Sequence, residues 1–382
     1  MKPRRRPSGI EFLNKRRRPG VKTVVVGMSG GVDSSVTAAM LVDQGYQVVG
    51  VTLQTWETED DATTSKKWQE RGCCKIGIAR YVAERLHIAH RVIDIREHFR
   101  SAVVQDFIDG YRSGQTPNPC VRCNERVKFG CLMDAARELG ADAVATGHYA
   151  QVVPDAAGRL HLHKSGDPKK DQSYFLYRLN RRWLSGILFP VGGLHKDEVW
   201  RKAEEIGLPA DEVKESQEIC FVTKGDYRSF LEQESPQTAQ RGSFVGTDGA
   251  VLGTHRGVPF YTPGQRRGLG LSAEQRLYVV RVDAATNSVV VGREEELLES
   301  GCVVGDLNLL SVDCLEEPVR AEVKVRYASP AVPATIGPLE EGRVRIEFDS
   351  PQRALSPGQS AVFYQGDLVL GGGIIEATNG KD

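Results

Sequence analysis

The sequence predicts an α/β fold, with an N-terminal doubly wound parallel sheet, then a small central β-rich domain and a C-terminal β-barrel. Three observations predict it. Strand-like and helix-like runs alternate between residues 22 and 147, as they do where helices cover both faces of a parallel sheet. After about residue 225, short alternating runs separated by Gly- and Pro-containing turns take over, which reads as all-β. At 382 residues the chain is also too long for one ordinary domain. The expected division is a basic arm at 1–20, a catalytic domain at 21–225, a central domain at 226–290 and a barrel at 291–382.

Each element follows from local pattern. KTVVVGM at 22–28 reads as a buried strand, SGGVDS at 29–34 as a turn, and SVTAAMLVDQG as a helix ending at Gly45. QVVGVTL at 47–53 is the next strand. The polar stretch Glu57–Arg71 reads as a loop. A helix is expected near 75–86, a strand at 91–95, helices near 97–112 and 124–139, and a strand at 142–147. In the second half the runs SFVGTDGAVLG, YVVRVDAATNSVVVG, VKVRY, RVRIEF and SAVFYQGDLVLGGGII are strands joined at VGTDG, DAATN and QGD.

Composition narrows the function class. Hydrophobic residues make up 40% and charged residues 26%, a soluble globular balance. No apolar run approaches the roughly 18 residues of a membrane helix. No apolar stretch lies near the start, so a secretory leader is not expected and a cytoplasmic location is. Net charge is zero, yet residues 1–20 carry eight basic residues against Glu11 alone, leaving +7 on the arm and −7 on the rest. Such an arm either touches RNA phosphates or is a solvated tail. The eight cysteines, in a long chain without a leader, fit thiol or metal chemistry better than a disulfide framework.

Gly27, Met28, Ser29, Gly30, Gly31, Val32, Asp33 and Ser34 lie between a strand and a helix. Glycine there lets backbone approach a phosphate closely, and the N–H groups at the helix start, with the Ser29 and Ser34 hydroxyls, can donate to its oxygens. No Gly-Lys-Ser/Thr follows, so this is not the Walker loop, and it is not G-x-G-x-x-G. Asp33 is read as a helper of Mg2+, or else as a helix cap.

Cys120 and Cys123 form a C-x-x-C inside TPNPCVRCN, which two prolines hold extended before a helix. A helix start and Arg122 would both favour thiolate. Cys220 follows a hundred residues later in SQEICFV. A zinc ribbon would need a second C-x-x-C, and none follows. Cys73, Cys74, Cys131, Cys302 and Cys314 read as small buried hydrophobes.

The SGGxDS turn resembles the loop of ATP pyrophosphatases, which adenylate a substrate oxygen and release pyrophosphate. The wider set GMSGGVDSSV, the GCC of 72–74, TPNPC-x-x-CN, KFG, ATGHYA, KDQSYFLYRL, FPVGG, SQEICFV, TPGQRRGLG, VRY and SPGQSAVFY resembles the tRNA-specific 2-thiouridylase family over about residues 22–378. The resemblance implies a sheet of the adenine-nucleotide alpha-hydrolase type, ATP and Mg2+, and a tRNA substrate with a Lys, Glu or Gln anticodon whose wobble uridine gains sulfur. It implies that Cys220 carries a persulfide supplied by a donor or relay protein, and that Cys123 is the nucleophile that releases sulfur and leaves a disulfide. It places Leu53 and Gly147 at the nucleotide, and Asn118, Pro119 and position 120 at the target base. It assigns tRNA contacts to His148, Lys170, Asp171, Gln172, Arg326, Tyr327 and Gln359. No membrane role is implied.

Cys120 departs from the family, many of whose members have Asp there. A thiol is a poorer acid–base partner and a better metal ligand. Cys120, Cys123 and Cys220 are three thiolates able to hold a 4Fe–4S cluster with one open iron that binds sulfide. A cysteine replacing aspartate beside an essential cysteine favours that cluster over a plain persulfide relay. The competing functions are another ATP pyrophosphatase, such as an argininosuccinate synthase, an amidotransferase-type synthetase or a cytidine thiolase, and a non-enzymatic RNA-binding protein.

Overall fold

The computed structural model describes residues 20–56, 74–208, 219–222, 226–236 and 239–378. The basic arm up to residue 19, the expected loop at 57–71 and Cys73 lie outside the described residues. The chain packs as two compact units. One draws on 1–100 and 123–217, the other on 101–122 and 218–382. Residues 101–122, expected within the first domain, therefore belong to the second unit.

The first unit is built on β1 (Thr23–Gly27), β2 (Gln47–Gln54), β3 (Ala89–Asp94) and β4 (Ala143–Thr146). A β5 (Gln151–Pro154) and β6 (Leu160–His163) hairpin follows, and then the short β7 (Ile187–Leu188). The main sheet has the order β3-β2-β1-β4-β7 with parallel pairing throughout. Alternation of side chains along β1 sends Val24 and Val26 to one face and Val25 to the other. Val24 and Val26 pack with Val36, Leu41, Val82 and Val199, while Val25 packs with Val49, Val51, Leu132 and Val144. Both faces are thus covered, by α1 (Val32–Asp43), α2 (Cys74–Arg85) and a later helix on one side and by α3 (Phe129–Glu138) on the other. That arrangement is why β1 reads as an unbroken apolar run. Strand order reverses between β1 and β4, the crevice where open α/β sheets place their ligands. Two expected helices are less regular than periodicity suggests. A π turn at Arg100–Val104 interrupts one, and another at Cys123–Lys128 lies between the short Pro119–Arg122 helix and α3.

In the second unit, a four-stranded sheet with order β10-β11-β8-β9 joins β8 (Gly242–Gly246), β9 (Val251–His255), β10 (Tyr278–Asp283) and β11 (Ser288–Gly292). The remaining strands are β12 (Leu298–Leu309), β13 (Val319–Lys324), β14 (Val332–Pro338), β15 (Val344–Arg353), β16 (Ser360–Gln365) and β17 (Leu368–Thr378). They run antiparallel in the order β12-β15-β14-β13-β16-β17, and β17 pairs back onto β12. The barrel is closed and filled by Cys302, Val323, Ile336, Ile346, Phe363 and Ile375. No described helix is long and apolar enough to cross a membrane.

Candidate active site

The loop after β1 is anchored to β2 at Met28. The Met28 N–H donates to Val51 O at 2.8 Å, and Thr52 Oγ1 donates to Met28 O at 2.7 Å. Because Thr52 spends its proton there, its 2.8 Å contact with His90 Nε2 makes His90 the donor. Gly30 takes φ +77°, a left-handed turn that a side chain disfavours. Ser34 Oγ accepts from Ser29 N at 3.2 Å and donates to Gly31 O at 3.0 Å, while Ser35 Oγ donates to the same carbonyl at 2.9 Å. These bonds fix the loop before any ligand arrives. Gly31 is the N-cap of α1 and makes no side-chain cap, so the first N–H groups of the helix face the loop mouth.

Asp33 does not cap that helix. Its Oδ1 accepts from Tyr149 Oη at 2.8 Å and from Lys196 Nζ at 2.6 Å. Lys196 is buried, opens α4 (Lys196–Glu205), and sits 5.6 Å from the Tyr149 ring centroid and 5.1 Å from that of Trp200. The buried Asp167 receives the Lys196 N–H at 3.0 Å, which fixes where the ammonium emerges. Neither Lys196 nor Asp167 carries a sequence signal. Burial of a lysine is the unusual feature, and burial is not legible in one sequence.

Gly147 follows β4, and a Cβ there would lie 2.6 Å from both the Asp33 carbonyl carbon and the Ser34 nitrogen. Glycine is therefore required for β4 to reach the loop. Leu53 is half-buried near the end of β2, in the layer with Val49, Val51 and Val144.

The residues expected at tRNA divide by what they touch. Asp171 is buried and accepts from Ser165 N, Ser173 N and Ser173 Oγ at 3.0, 3.2 and 2.8 Å, so its carboxylate is committed to the fold. Gln172 exchanges bonds with Tyr149, accepting its N–H at Oε1 (3.0 Å) and donating its own N–H to Tyr149 O (2.8 Å), which orients the phenol toward Asp33. Lys170 is half-buried. His148 contacts Thr146 Oγ1 through Nδ1 at 2.8 Å and packs against Phe129 and Phe189. Burial, with the nearby Lys128 charge, lowers its pKa to about 3, so it is a neutral ring at physiological pH. Arg326 turns inward to Ala354 O and to Ser356 Oγ. Tyr327 is 39% exposed with Lys324 Nζ 5.3 Å from its ring centroid.

In the second unit, the Thr116–Cys120 segment is clipped to the loop before β16. Thr116 N donates to Pro357 O at 2.7 Å, and Gln359 Nε2 donates to Thr116 O at 2.8 Å. Gly358, at φ +90°, allows this approach, since a Cβ would lie 2.9 Å from Thr116 N. Asn118 Oδ1 accepts from Val121 N at 3.3 Å, Pro119 is buried and Cys120 is exposed. Asn118 and Arg122 line a cavity of about 290 Å³ with Asp106, Asp109 and Ser360. The Arg122 guanidinium lies 3.8 Å from Asp106 and 3.1 Å from Asp306, so two carboxylates share the charge expected to favour the neighbouring thiolate.

Cys123 is buried and Cys220 exposed. Cys220 is presented by a turn closed by Val222 N to Ile219 O at 3.0 Å and anchored by the buried Phe221, which packs on Phe107 and Phe230. Of the other cysteines, Cys302 is fully buried, which pushes its thiol up to about 12, as expected of a core residue. Cys131 is only half-buried. Cys314 departs from the expectation, being exposed and donating to Glu316 at 3.4 Å. The Cys74 side chain lies outside the described residues. Among the described residues no three His, Cys, Asp or Glu side chains gather as a metal-holding group.

Known proteins are similar to this chain in sequence. The model of the tRNA methyl transferase HUP domain matches residues 22–224, that of the tRNA methyl transferase PRC-barrel domain 228–293, and that of the aminomethyltransferase beta-barrel domain 299–375. The tRNA-specific 2-thiouridylase of Acetivibrio thermocellus is 47% identical over 359 residues, covering 93% of this chain and 99% of its own. Its counterpart from Symbiobacterium thermophilum is 46% identical over 364 residues, covering 94% and 93%. A solved 4-thiouridine synthetase–RNA complex with bound ATP aligns with 56% of this chain and 51% of its own at 19% identity and a TM-score of 0.33.

Proposed function

This chain belongs to the tRNA-specific 2-thiouridylase family, and from that premise we propose that it uses ATP to replace O2 of a wobble uridine in tRNA by sulfur. The tRNAs are those with Lys, Glu or Gln anticodons, by the family resemblance. The observation that carries the reading is the preorganised loop of residues 27–34, with its free helix N-terminus, at the switch point of the sheet.

The uracil oxygen is a poor leaving group until it is adenylated. The helix N-terminus and the Ser29 and Ser34 hydroxyls receive the phosphates, while Leu53 and Gly147 lie toward the nucleoside. Lys196 supplies a cation beside Asp33, where negative charge builds as pyrophosphate departs. Mg2+, when bound, neutralises phosphate charge. Asp33, the carboxylate of the 27–34 loop, would be the residue that helps to hold it.

Sulfur arrives as a persulfide on Cys220, whose exposure suits loading by a donor protein. The Cys123 thiolate attacks the Cys220 sulfur and forms a Cys123–Cys220 disulfide. The released hydrosulfide adds to C2 of the adenylated uracil, AMP leaves with the former O2, and an external thiol returns two electrons to the disulfide. Asn118 and Pro119 border the target base, which must leave the anticodon stack to be reached. Cys120 lines that region in this route without carrying sulfur. Lys170, His148 and Tyr327 are the proposed tRNA contacts with exposed atoms, His148 acting as a neutral partner. Asp171, Gln172, Arg326 and Gln359 act by holding the surfaces that touch it.

The test is mass spectrometry of tRNA nucleosides from cells with and without this gene. Loss of 2-thiouridine on deletion, restored by the wild-type gene and not by Asp33→Ala, is expected. Unchanged 2-thiouridine in cells with no second such enzyme overturns the reading.

A further inference from the structure

TPGQRRGLG, residues 262–270, has no role in the chemistry above, yet it forms part of the wall of a cavity in the second unit. That cavity, of about 880 Å³, is lined by five arginines, Arg228, Arg256, Arg266, Arg267 and Arg353, against a single carboxylate, Asp226. Three of the five are already engaged. Arg228 pairs with Asp226 at 2.8 Å, Arg256 with Glu232 at 2.8 Å and Arg353 with Glu294 at 3.4 Å. Arg266 and Arg267 are exposed, and among the described residues neither guanidinium has a partner.

The loop that carries them is built rather than loose. Gly264 N donates to Val279 O at 2.7 Å and Val279 N donates to Gln265 O at 2.9 Å, which staples the loop to β10. Gln265 folds back, its Oε1 accepting from Thr262 N at 3.3 Å and its Nε2 donating to Arg267 O at 2.9 Å. Gly264 and Gly268 hold φ of +87° and +78°, values that favour glycine and set the turns on either side of the arginine pair. The backbone that carries two adjacent arginines is thus fixed at a cavity wall, and among the described residues no carboxylate pairs with either guanidinium.

We propose that this cavity binds the sugar–phosphate backbone of the RNA substrate, independently of base sequence, with Arg266 and Arg267 as its phosphate ligands. The inference rests on the tRNA reading above. Guanidinium groups match phosphate oxygens in forked pairs. The aromatic residues of the lining, Phe260, Tyr261 and Tyr278, are all under 7% exposed, so no ring face is offered for a base to stack on. No exposed large hydrophobic residue lies in the lining either, whereas a docking site for an acidic protein would need an apolar centre. What remains is charge for phosphate, the part of RNA contact that positions without specifying.

The experiment measures binding of unmodified tRNA to the full chain by fluorescence anisotropy across a salt series. It compares wild type, Arg266→Ala/Arg267→Ala, Arg266→Lys/Arg267→Lys, and a control, Arg137→Ala/Arg159→Ala, that removes equal charge from the first unit. The alanine pair is expected to bind about tenfold or more weakly near 0.15 M salt and to lower the slope of log affinity against log salt by about one to two, as loss of two phosphate contacts should. The lysine pair and the control keep slopes near wild type, with folding verified by circular dichroism. Wild type that binds tRNA with a slope the alanine pair does not change overturns this proposal and leaves the thiolation reading standing. Wild type that fails to bind tRNA overturns both. An unchanged tRNA slope, combined with thiolation lost only when sulfur comes from a protein donor and retained with inorganic sulfide, assigns the arginines to an acidic protein and also overturns the proposal.

Discussion

Lys196 Nζ lies 2.6 Å from Asp33 Oδ1, although 163 residues separate them in the chain. The pair joins the start of α4 to the phosphate loop, and Tyr149 Oη shares the same carboxylate oxygen. Lys196→Ala is expected to slow pyrophosphate release by about 10²-fold, the usual cost of one lost transition-state donor, with Lys196→Arg recovering part of it. Quantifying pyrophosphate under saturating ATP and tRNA checks this. Wild-type rates in the alanine variant would limit Lys196 to a structural role.

Gly147→Ala should disable the loop from behind. The new Cβ would meet Asp33 and Ser34 backbone at 2.6 Å, and backbone cannot yield as a flexible side chain does. Expected are about 1–3 kcal/mol of destabilisation, typical of overpacking, and at least tenfold weaker ATP binding. Denaturant unfolding and nucleotide titration read the two separately.

Acid should destabilise the first unit through two histidines. Burial, with Arg80 contributing, lowers the His90 pKa to about 4, and burial with Lys128 lowers that of His148 to about 3. Both lie below the ordinary value of 6.5, so below pH 6.5 the unfolded chain binds more protons than the folded one. Their contribution is complete above pH 6.5 and is lost as pH falls toward 4 and then 3. The slope is at most about 1.4 kcal/mol per pH unit for each ring, less because both keep some contact with solvent. His90→Gln, which retains a donor for Thr52, should flatten the fall in unfolding midpoint between pH 6.5 and 4. An equally steep fall in that variant places the acid sensitivity elsewhere.

The three cysteines separate by role. Cys123→Ala and Cys220→Ala are each expected to reduce thiolation to background. Cys120→Ala should slow it while leaving iron content unchanged, because the relay does not need a third thiolate. Iron and thiolation rate are measured together under anaerobic conditions. Iron in the wild type that disappears with activity in Cys120→Ala would replace the relay with a cluster.

The legible parts of this chain are those set by short-range pattern. The apolar run of β1, the glycines that follow it and the alternation of the barrel strands all announced themselves. So did the loop, because its bonds join Ser29, Gly31, Ser34 and Ser35, all within seven residues. What was not legible depends on distance along the chain. Lys196 and Asp167 look like ordinary surface residues until α4 packs against α1. Asp171 and Gln172 match positions associated with tRNA, and that the Asp171 carboxylate accepts from Ser173 and Gln172 Oε1 from Tyr149 was not legible, because a motif records position and not direction. The π turns at 100–104 and 123–128 also escaped, since stretches of 5 and 6 residues are too short to show a period of their own.

The most direct test of the account is a single-turnover reaction of the full chain, loaded with persulfide on Cys220, with ATP, Mg2+ and unmodified tRNA bearing a Lys anticodon. One 2-thiouridine per tRNA is expected, formed with one AMP and one pyrophosphate, and a Cys123–Cys220 disulfide appearing at the same rate. Pyrophosphate release that is independent of tRNA, or thiouridine formed without the disulfide, would contradict it.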